Sequence, residues 1–225
     1  MKLPDFSFEK GLYKKGYRFI AGVDEVGRGC FAGPIVTGCV IFPLDLIIPD
    51  SIVINDSKKM RPKWREKSAV WIKENALSWG VGEVSAQKIN KVGMGKAAKI
   101  AFRKAISNAR KRFGKPIDYL LIDAFFIPYV PGLPAKRQRR QLAIINGDEK
   151  SVSIAGASII AKVYRDNLML RLSKRPKYRK YGWGRNKGYG TREHQSAIRK
   201  YGTTRQHRKV FVETWINNSS SSRVQ

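Results

Sequence analysis

Acidic side chains are scarce in this chain: 17 Asp and Glu stand against 45 Lys and Arg, a formal net charge of +28. So large an excess repels itself and is usually kept for a polyanionic partner, because neutralising phosphates releases condensed counterions. The basic residues are spread along the whole sequence rather than gathered on one amphipathic helix or tail. That favours nucleic acid over an acidic membrane surface. Cysteine is scarce too. Cys30 and Cys39 are the only 2, and they read as buried free thiols of a reducing compartment rather than a disulfide. No apolar run is long enough to span a membrane, and the opening MKLPDFSFEK has charges of both signs and no apolar core of a secretory signal. A cytoplasmic protein without a membrane partner is expected. The 2 histidines, His194 and His207, lie in charged, exposed-looking segments with no Cys or carboxylate at zinc-ligand spacing. A nucleophile elbow is missing, and GVGEVSAQK does not match the phosphate-binding glycine loops.

What is present is a core and a regular alternation of elements. Hydrophobic residues make up 42% of the chain. Tyr17 to Val23 reads as a strand closed by Asp24; the turn DEVGRG follows, then a second strand-like run, PIVTGCVIF, closed by Pro43. The run IDYLLI reads as a strand that ends at Asp123, and a short run LAII follows the basic, Pro-rich segment PYVPGLPAKRQRRQ. Pro62 suits the first turn of a helix that continues through Ser78. Ser85 to Gly114 is helical in two pieces broken near Gly93-Met94-Gly95. A long helix begins near Ser151 or Ser153, either of which can cap it. Beyond Arg175-Pro176 the chain is basic and aromatic, and the tail from Asn217 (NNSSSSRVQ) is expected to be disordered. No internal repeat is visible. Strands alternating with helices predict an α/β core with a C-terminal helical extension.

In a chain this basic, an acid in an apolar context stands out. Asp24 and Asp123 each close a strand. On a helix, Val152, Ile159, Val163, Asp166 and Leu170 fall on one stripe, which predicts an inward-facing Asp166. A buried carboxylate is costly unless it is paired or binds a cation. One such residue reads as a salt bridge; three converging carboxylates repel unless a metal lies between them, and hard oxygen donors suit Mg²⁺ or Mn²⁺. Glu25 joins them only if the chain has already turned at Asp24, because successive strand residues point to opposite faces. Paired carboxylates holding two metal ions, in a chain built for phosphate, point to phosphodiester hydrolysis.

GVDEVGRGCFAGPIV, DSKKM, LLIDA, SIAGASIIAKVYRD, NKGYGTREH and HRKVF occur in this order over nearly the whole chain. Together they resemble ribonuclease HII, the type 2 ribonuclease H. The resemblance implies an RNase H-like fold, a mixed central sheet flanked by helices, as a single catalytic domain over residues 1–216 that includes the C-terminal helical region. It implies that Asp24, Glu25, Asp123 and Asp166 are both metal ligands and catalytic residues, with Mn²⁺ or Mg²⁺ in a two-metal site. The substrates implied are duplex DNA containing a ribonucleotide and RNA–DNA hybrid, cut on the 5′ side of the ribonucleotide to leave a 3′-hydroxyl. Gly27, Arg28 and Gly29 would read the 2′-hydroxyl, the group that separates ribose from deoxyribose. Glycine suits that role because it lets backbone approach a sugar closely. Tyr189 would pack on the neighbouring deoxyribose, and Lys58 and Lys59 would contact phosphate. Taken alone, a lone tyrosine reads as packing and a Lys pair as a solvated surface.

One feature departs from the family pattern: AFF follows Asp123 where a glycine is common, which bears on the local turn. The short stretch before DEVGRG argues against the sister type, ribonuclease HIII. A sliding-clamp motif is not evident, and the protein is expected to act as a monomer. The basic segment Lys136 to Arg140 reads either as an extended binding track or as a solvated loop. Two other functions compete: a nuclease or resolvase indifferent to sugar type, against which Gly27–Gly29 and Tyr189 argue, and a non-catalytic nucleic-acid-binding protein, which has no need of inward carboxylates.

Overall fold

The computed structural model describes residues 3–131, 133 and 140–221. Most of the basic segment Lys136 to Arg140 therefore lies outside the described residues. The elements run α1 (Ser7–Lys14), β1 (Ile20–Val26), β2 (Ile35–Ile41), α2 (Pro62–Asn75), β3 (Ser78–Val84), α3 (Ala86–Val92), α4 (Met94–Phe113), β4 (Tyr119–Asp123), β5 (Gln141–Ile144), a 3₁₀ turn (Gly147–Glu149) and α5 (Val152–Ser173). They end with α6 (Pro176–Arg179), α7 (Trp183–Asn186), α8 (Arg192–Tyr201) and α9 (Lys209–Ser221). The helix α9 takes in Asn217–Ser221, which the sequence had suggested as disordered tail. No helix among the described residues is long and apolar enough to cross a membrane.

The described residues fall into two compact units: 3–26, 36–83 and 99–163 belong to the first, and 27–35, 84–98 and 164–221 to the second. Each has its own apolar core, which is what makes a unit compact.

The first unit holds a five-stranded sheet in the order β3-β2-β1-β4-β5. β1 is antiparallel to β2 and parallel to β4, and β4 is parallel to β5. Alternation along the strands sorts their side chains between two cores. Ala21 and Val23 of β1, with Leu120 and Ile122 of β4, pack with Phe102, Ala105 and Ile106 of α4. Ile20 and Leu121, one residue out of phase, pack with Ile154 of α5. Asp24 and Asp123 share that phase and so share the α5 face. Gly22 and Gly38 are what let α5 lie so close. A Cβ on Gly22 would overlap the backbone of Ser153, and one on Gly38 would overlap the Ala157 carbonyl. The start of α5 is fixed by Ser151, whose Oγ accepts from the Ile154 amide (3.3 Å) and donates to the buried Glu9 carboxylate (2.7 Å).

β3 is an element the sequence pattern did not suggest. It begins at Ser78, the last residue of the segment assigned to a helix, and α2 stops at Asn75. Its buried residues alternate, but Gly80 and Gly82 sit at the positions that face α4, where a Cβ would overlap the carbonyls of Ala105 and Ala101. Close helix packing replaced the apolar side chains that normally mark a strand.

The second unit is helical, around a core of Met169, Tyr178, Tyr181, Trp183, Ile198 and Val212. It also holds the segment 27–35, which follows β1 in sequence.

Candidate active site

β1 does not end at Asp24. It continues through Glu25 to Val26, with Asp24 opposite Gly38 and Glu25 opposite Thr37 of β2. The condition for Glu25 to turn toward Asp24 is thus not met by the backbone: Asp24 is buried at 4% exposure and Glu25 is half-buried on the alternate phase. Their charges nevertheless interact. Burial pushes the Asp24 carboxyl well above its usual range, the Glu25 charge pushes it further, and Asp123 and Asp148 add to the rise. A hydrogen bond from Ser158 opposes the shift, and the Glu25 amide donates to Asp24 Oδ1 at 2.7 Å. Ser158 stands on α5 directly over the sheet because of the two small residues beneath the helix, and its Oγ also lies 2.9 Å from Ser57 Oγ.

Asp123 ends β4, and its Oδ1 accepts from the Gly147 amide at 2.7 Å. The chain leaves it through Ala124, in the left-handed region at φ 60°. This is the position where AFF replaced a common glycine: the turn forms regardless, with an alanine held in a conformation that favours glycine.

Gly147 leads into Asp148, an acid the sequence reading passed over. Asp148 is 5% exposed, and its carboxyl is pushed up to about 6 by burial first, then by the charges of Asp56 and Asp123, with Lys58 opposing. The ammonium of Lys58 lies 3.7 Å from Asp148. Burial works against the charge of Lys58, but Asp148, Asp56, Asp24 and Asp123 outweigh it and raise its pKa. Lys59 pairs with Glu149 at 2.8 Å. The first unit thus brings together Asp24, Glu25, Asp123, Asp148 and Lys58.

Asp166 is placed differently. It lies on α5 beyond Val163, in the second unit, half-buried rather than at the centre of the packed face. The stripe that singled it out breaks down there, since Leu170 is 40% exposed while Arg165 is completely buried. From Ser151 to Ala161 the chain, nearly all of it α5, is buried on all sides, so no single stripe in that half defines an inward face. The charge of Asp166 is felt by the Tyr189 hydroxyl, which burial above all raises to about 12.

Gly27, Arg28, Gly29 and Tyr189 all belong to the second unit. Arg28 and Gly29 are exposed, and Gly27 is buried at φ 87°, where a Cβ would overlap the Arg165 guanidinium. Two buried arginines hold this loop by its carbonyls. Arg165 donates to Pro34 (3.0 Å), Ala32 (3.1 Å) and Lys187 (2.9 Å); Arg208 donates to Gly33 (2.9 Å) and Arg28 (2.7 Å). The Arg165 guanidinium also stands 5.7 Å from the Tyr189 ring centroid. Desolvation and the neighbouring Arg165 lower Arg208 to about 10, so it remains charged at neutral pH.

The two histidines were read as exposed and are not. His194 and His207 are 0% and 1% exposed, with their Nε2 atoms 3.1 Å apart. Polar neighbours in NKGYGTREH and TTRQHRKV masked them: His194 lies on the buried side of the short amphipathic α8, where charged sequence neighbours are expected, and His207 lies between α8 and α9 in a bridge to Ala32.

Among the described residues no three His, Cys, Asp or Glu side chains stand ready-placed to hold a metal ion. The chemistry of the donors nonetheless fits a hard cation. Asp24 is a buried carboxylate destabilised by three others, and a cation relieves that repulsion.

The family profile described as Ribonuclease HII matches residues 21–217. Ribonuclease HII of Caldanaerobacter subterraneus subsp. tengcongensis is 46% identical over 206 residues, 92% of this chain and 79% of that one. Among solved structures, ribonuclease H2 of Pyrococcus horikoshii superposes with a TM-score of 0.66 at 23% identity, over 87% of this chain and 96% of the other. Bst ribonuclease HIII in complex with Mn²⁺ superposes with a TM-score of 0.64 at 19% identity, over 87% and 65%. At these identities the structures speak for the fold: a mixed sheet flanked by helices, RNase H-like.

Proposed function

The chain belongs to the ribonuclease HII family, nucleases that hydrolyse phosphodiester bonds, and from that membership we propose that it cuts on the 5′ side of a ribonucleotide. The substrate is duplex DNA carrying the ribonucleotide, or an RNA–DNA hybrid, and the products are a 3′-hydroxyl and a 5′-phosphate. The observation that carries the mechanism is the buried Asp24, whose ionisation is opposed by burial, Glu25, Asp123 and Asp148 together. A divalent cation among these carboxylates would relieve that repulsion.

Asp24, Glu25 and Asp123 would hold the ions, Mn²⁺ or Mg²⁺. For the fourth carboxylate the observations favour Asp148 over Asp166, because Asp148 acts on Asp24 and Asp123 acts on Asp148. Two ions held there would supply a nucleophile from water and charge stabilisation at the leaving oxygen. The protein's own part is positional. The Gly147 amide orients Asp123, Ser158 orients Asp24, and Lys58 offers its ammonium to a phosphate beside the acids. Lys59, paired with Glu149, flanks it.

Selection of ribose falls to Gly27, Arg28 and Gly29. Loop carbonyls already committed to Arg165 and Arg208 leave the exposed backbone of Arg28 and Gly29 fixed in advance, which is what a reader of one hydroxyl requires. Tyr189, 38% exposed, presents its ring to the deoxyribose at the RNA-to-DNA junction. The net charge of +28 supports a nucleic-acid partner. In the cell the role is removal of ribonucleotides from DNA, by a monomer in the cytoplasm.

The test uses an end-labelled DNA duplex with one ribonucleotide beside an all-DNA control, in Mn²⁺, Mg²⁺ or chelator. One metal-dependent cut at the 5′ side, with the control intact, is expected. Cleavage of both duplexes overturns the selection of ribose, and cleavage in chelator overturns the carboxylate mechanism.

A further inference from the structure

The chain has 2 histidines, and both are buried in the second unit against Tyr181 and Trp183. Their hydrogen bonds close in a single pattern when both rings are neutral. The Thr204 amide donates to His207 Nδ1 at 2.9 Å, so that nitrogen is an acceptor and the ring proton sits on Nε2. His207 Nε2 then donates to His194 Nε2 across 3.1 Å. The same His194 Nε2 accepts from Trp183 Nε1 at 3.0 Å. His194 therefore carries its proton on Nδ1, which donates to the backbone carbonyl of Tyr189 at 2.9 Å. Beside it, Gln195 Nε2 donates to the Gly190 carbonyl at 2.8 Å.

An apolar pair would fill this aromatic cage as well and would escape the burden of burying ring nitrogens. What the imidazoles add is direction. Each nitrogen has one role, and the last donor in the chain is aimed at the main chain of Tyr189. The Tyr189 ring stands beside the Arg165 guanidinium and its backbone is tied to His194, while the side chain remains 38% exposed.

We infer that His194 and His207 act as a neutral imidazole pair that positions Tyr189, relaying the geometry of the Thr204 turn to the ring that senses the RNA-to-DNA junction. The pair are positioning residues, and the inference rests on the reading of Tyr189 given above. Loss of the last bond leaves the Tyr189 carbonyl to the Thr191 amide (2.9 Å) and loosens the turn, which broadens the ring's orientations and lowers junction discrimination without touching the carboxylates.

Binding in chelator isolates this effect from metal chemistry. Fluorescent duplexes, all-DNA or carrying one ribonucleotide, are titrated with wild type, His194→Leu, His194→Asn and Tyr189→Ala. Asn places its amide near the position of Nδ1, so it retains a donor for the Tyr189 carbonyl; Leu does not. His194→Leu is expected to lower the affinity ratio between the two duplexes about fivefold to tenfold, the worth of one lost hydrogen bond. His194→Asn should restore most of that ratio, and in the Tyr189→Ala background His194→Leu should add nothing. An unchanged ratio in His194→Leu, or a further drop in the Tyr189→Ala background, overturns the inference. A wild type that does not discriminate overturns the role of Tyr189 itself, a distinguishable failure. Should His194→Leu fail to fold, Thr204→Val provides the same test from the far end of the relay. It removes a hydroxyl 3.0 Å from His207 Nδ1 and should lower the ratio by a smaller factor; no change there counts against the relay.

Discussion

In the first unit the buried charges around the candidate site are acids, Asp24, Asp56 and Asp148, each no more than 6% exposed, while the buried Arg65 donates to the backbone carbonyls of Ser57 and Met60. In the second they are bases: Arg165 and Arg208, both 0% exposed, with His194 and His207 packed beside them as neutral rings. The two sets are satisfied in opposite ways. The guanidiniums give five hydrogen bonds to backbone carbonyls and hold the loop fixed, while Arg208 Nη2 stays buried without a hydrogen-bond partner among the described residues. The acids in the first unit face one another, and Lys58, 3.7 Å from Asp148, keeps its side chain 71% exposed. One region has its loop held in advance and suits recognition. The other is left in need of positive charge and suits chemistry that a cation brings with it.

The largest effect expected from breaking this contrast is on cleavage. Asp24→Asn should lower the rate by more than about 100-fold, the upper end for disturbing the partners of a metal ligand, while duplex affinity is kept or improved because repulsion of phosphate is reduced. Single-turnover cleavage and gel-shift assays on the same preparation separate the two. Loss of binding would make Asp24 a structural residue instead. Asp148→Asn should match Asp24→Asn, and Asp166→Asn should fall short of both; the reverse order would return the fourth position to Asp166.

A second effect lies in the pH dependence of stability, where the two regions pull in opposite directions. His207 is held down to about 4 by burial and by His194, below the ordinary 6.5. The unfolded chain therefore binds the extra proton first, so this contribution is present above about pH 6.5 and is lost as pH falls toward 4, up to about 3 kcal/mol. Asp148 is raised from 3.8 to about 6. Here the folded state holds the proton, so its contribution is present below about pH 3.8 and is lost as pH rises through 6, again by up to about 3 kcal/mol. Between pH 4 and 6 the slopes oppose each other. Denaturant unfolding across that window should become steeper in acid loss for Asp148→Asn and shallower for His207→Phe. Identical profiles for both variants would remove the contrast.

The smallest effect is at Ala124. Its φ of 60° strains an alanine, so Ala124→Gly should stabilise the first unit by roughly 1 kcal/mol. A thermal shift of a few degrees upward, with cleavage unchanged, is the expected result. Destabilisation would mean that the entropy of glycine in the unfolded chain outweighs the strain relieved.

How much of this was legible in the sequence depended on whether a residue's neighbours shared its environment. β4 and β5, the break between α3 and α4, and the Ser151 cap of α5 follow from apolar runs, a Gly-Met-Gly step and a well-placed hydroxyl. β1 was legible as well, except that acids at its end read as a turn although the strand continues through them. β3 was not legible, because glycines stand where its core side chains belong. Asp148 lies in NGDEK, a polar turn with no apolar context to make it conspicuous; only the fold brings Gly147 against Asp123. His194 and His207 are buried singly among charged neighbours, a burial that three-dimensional packing decides and composition hides. The motif resemblance reached the fold and the family, while the burial of Asp148 beside Asp123 followed only from the fold.

Gly22 and Gly38 carry a consequence for how the protein tolerates change. They are not hinge or turn glycines; they are the floor on which α5 rests, and the height of that floor sets where Ser158 meets Asp24. A single methyl group at either position acts as a shim under the helix, displacing a serine that lies far along the chain from the substituted residue. Thickness is what closes these two sites to every side chain, because even a Cβ would overlap the helix backbone.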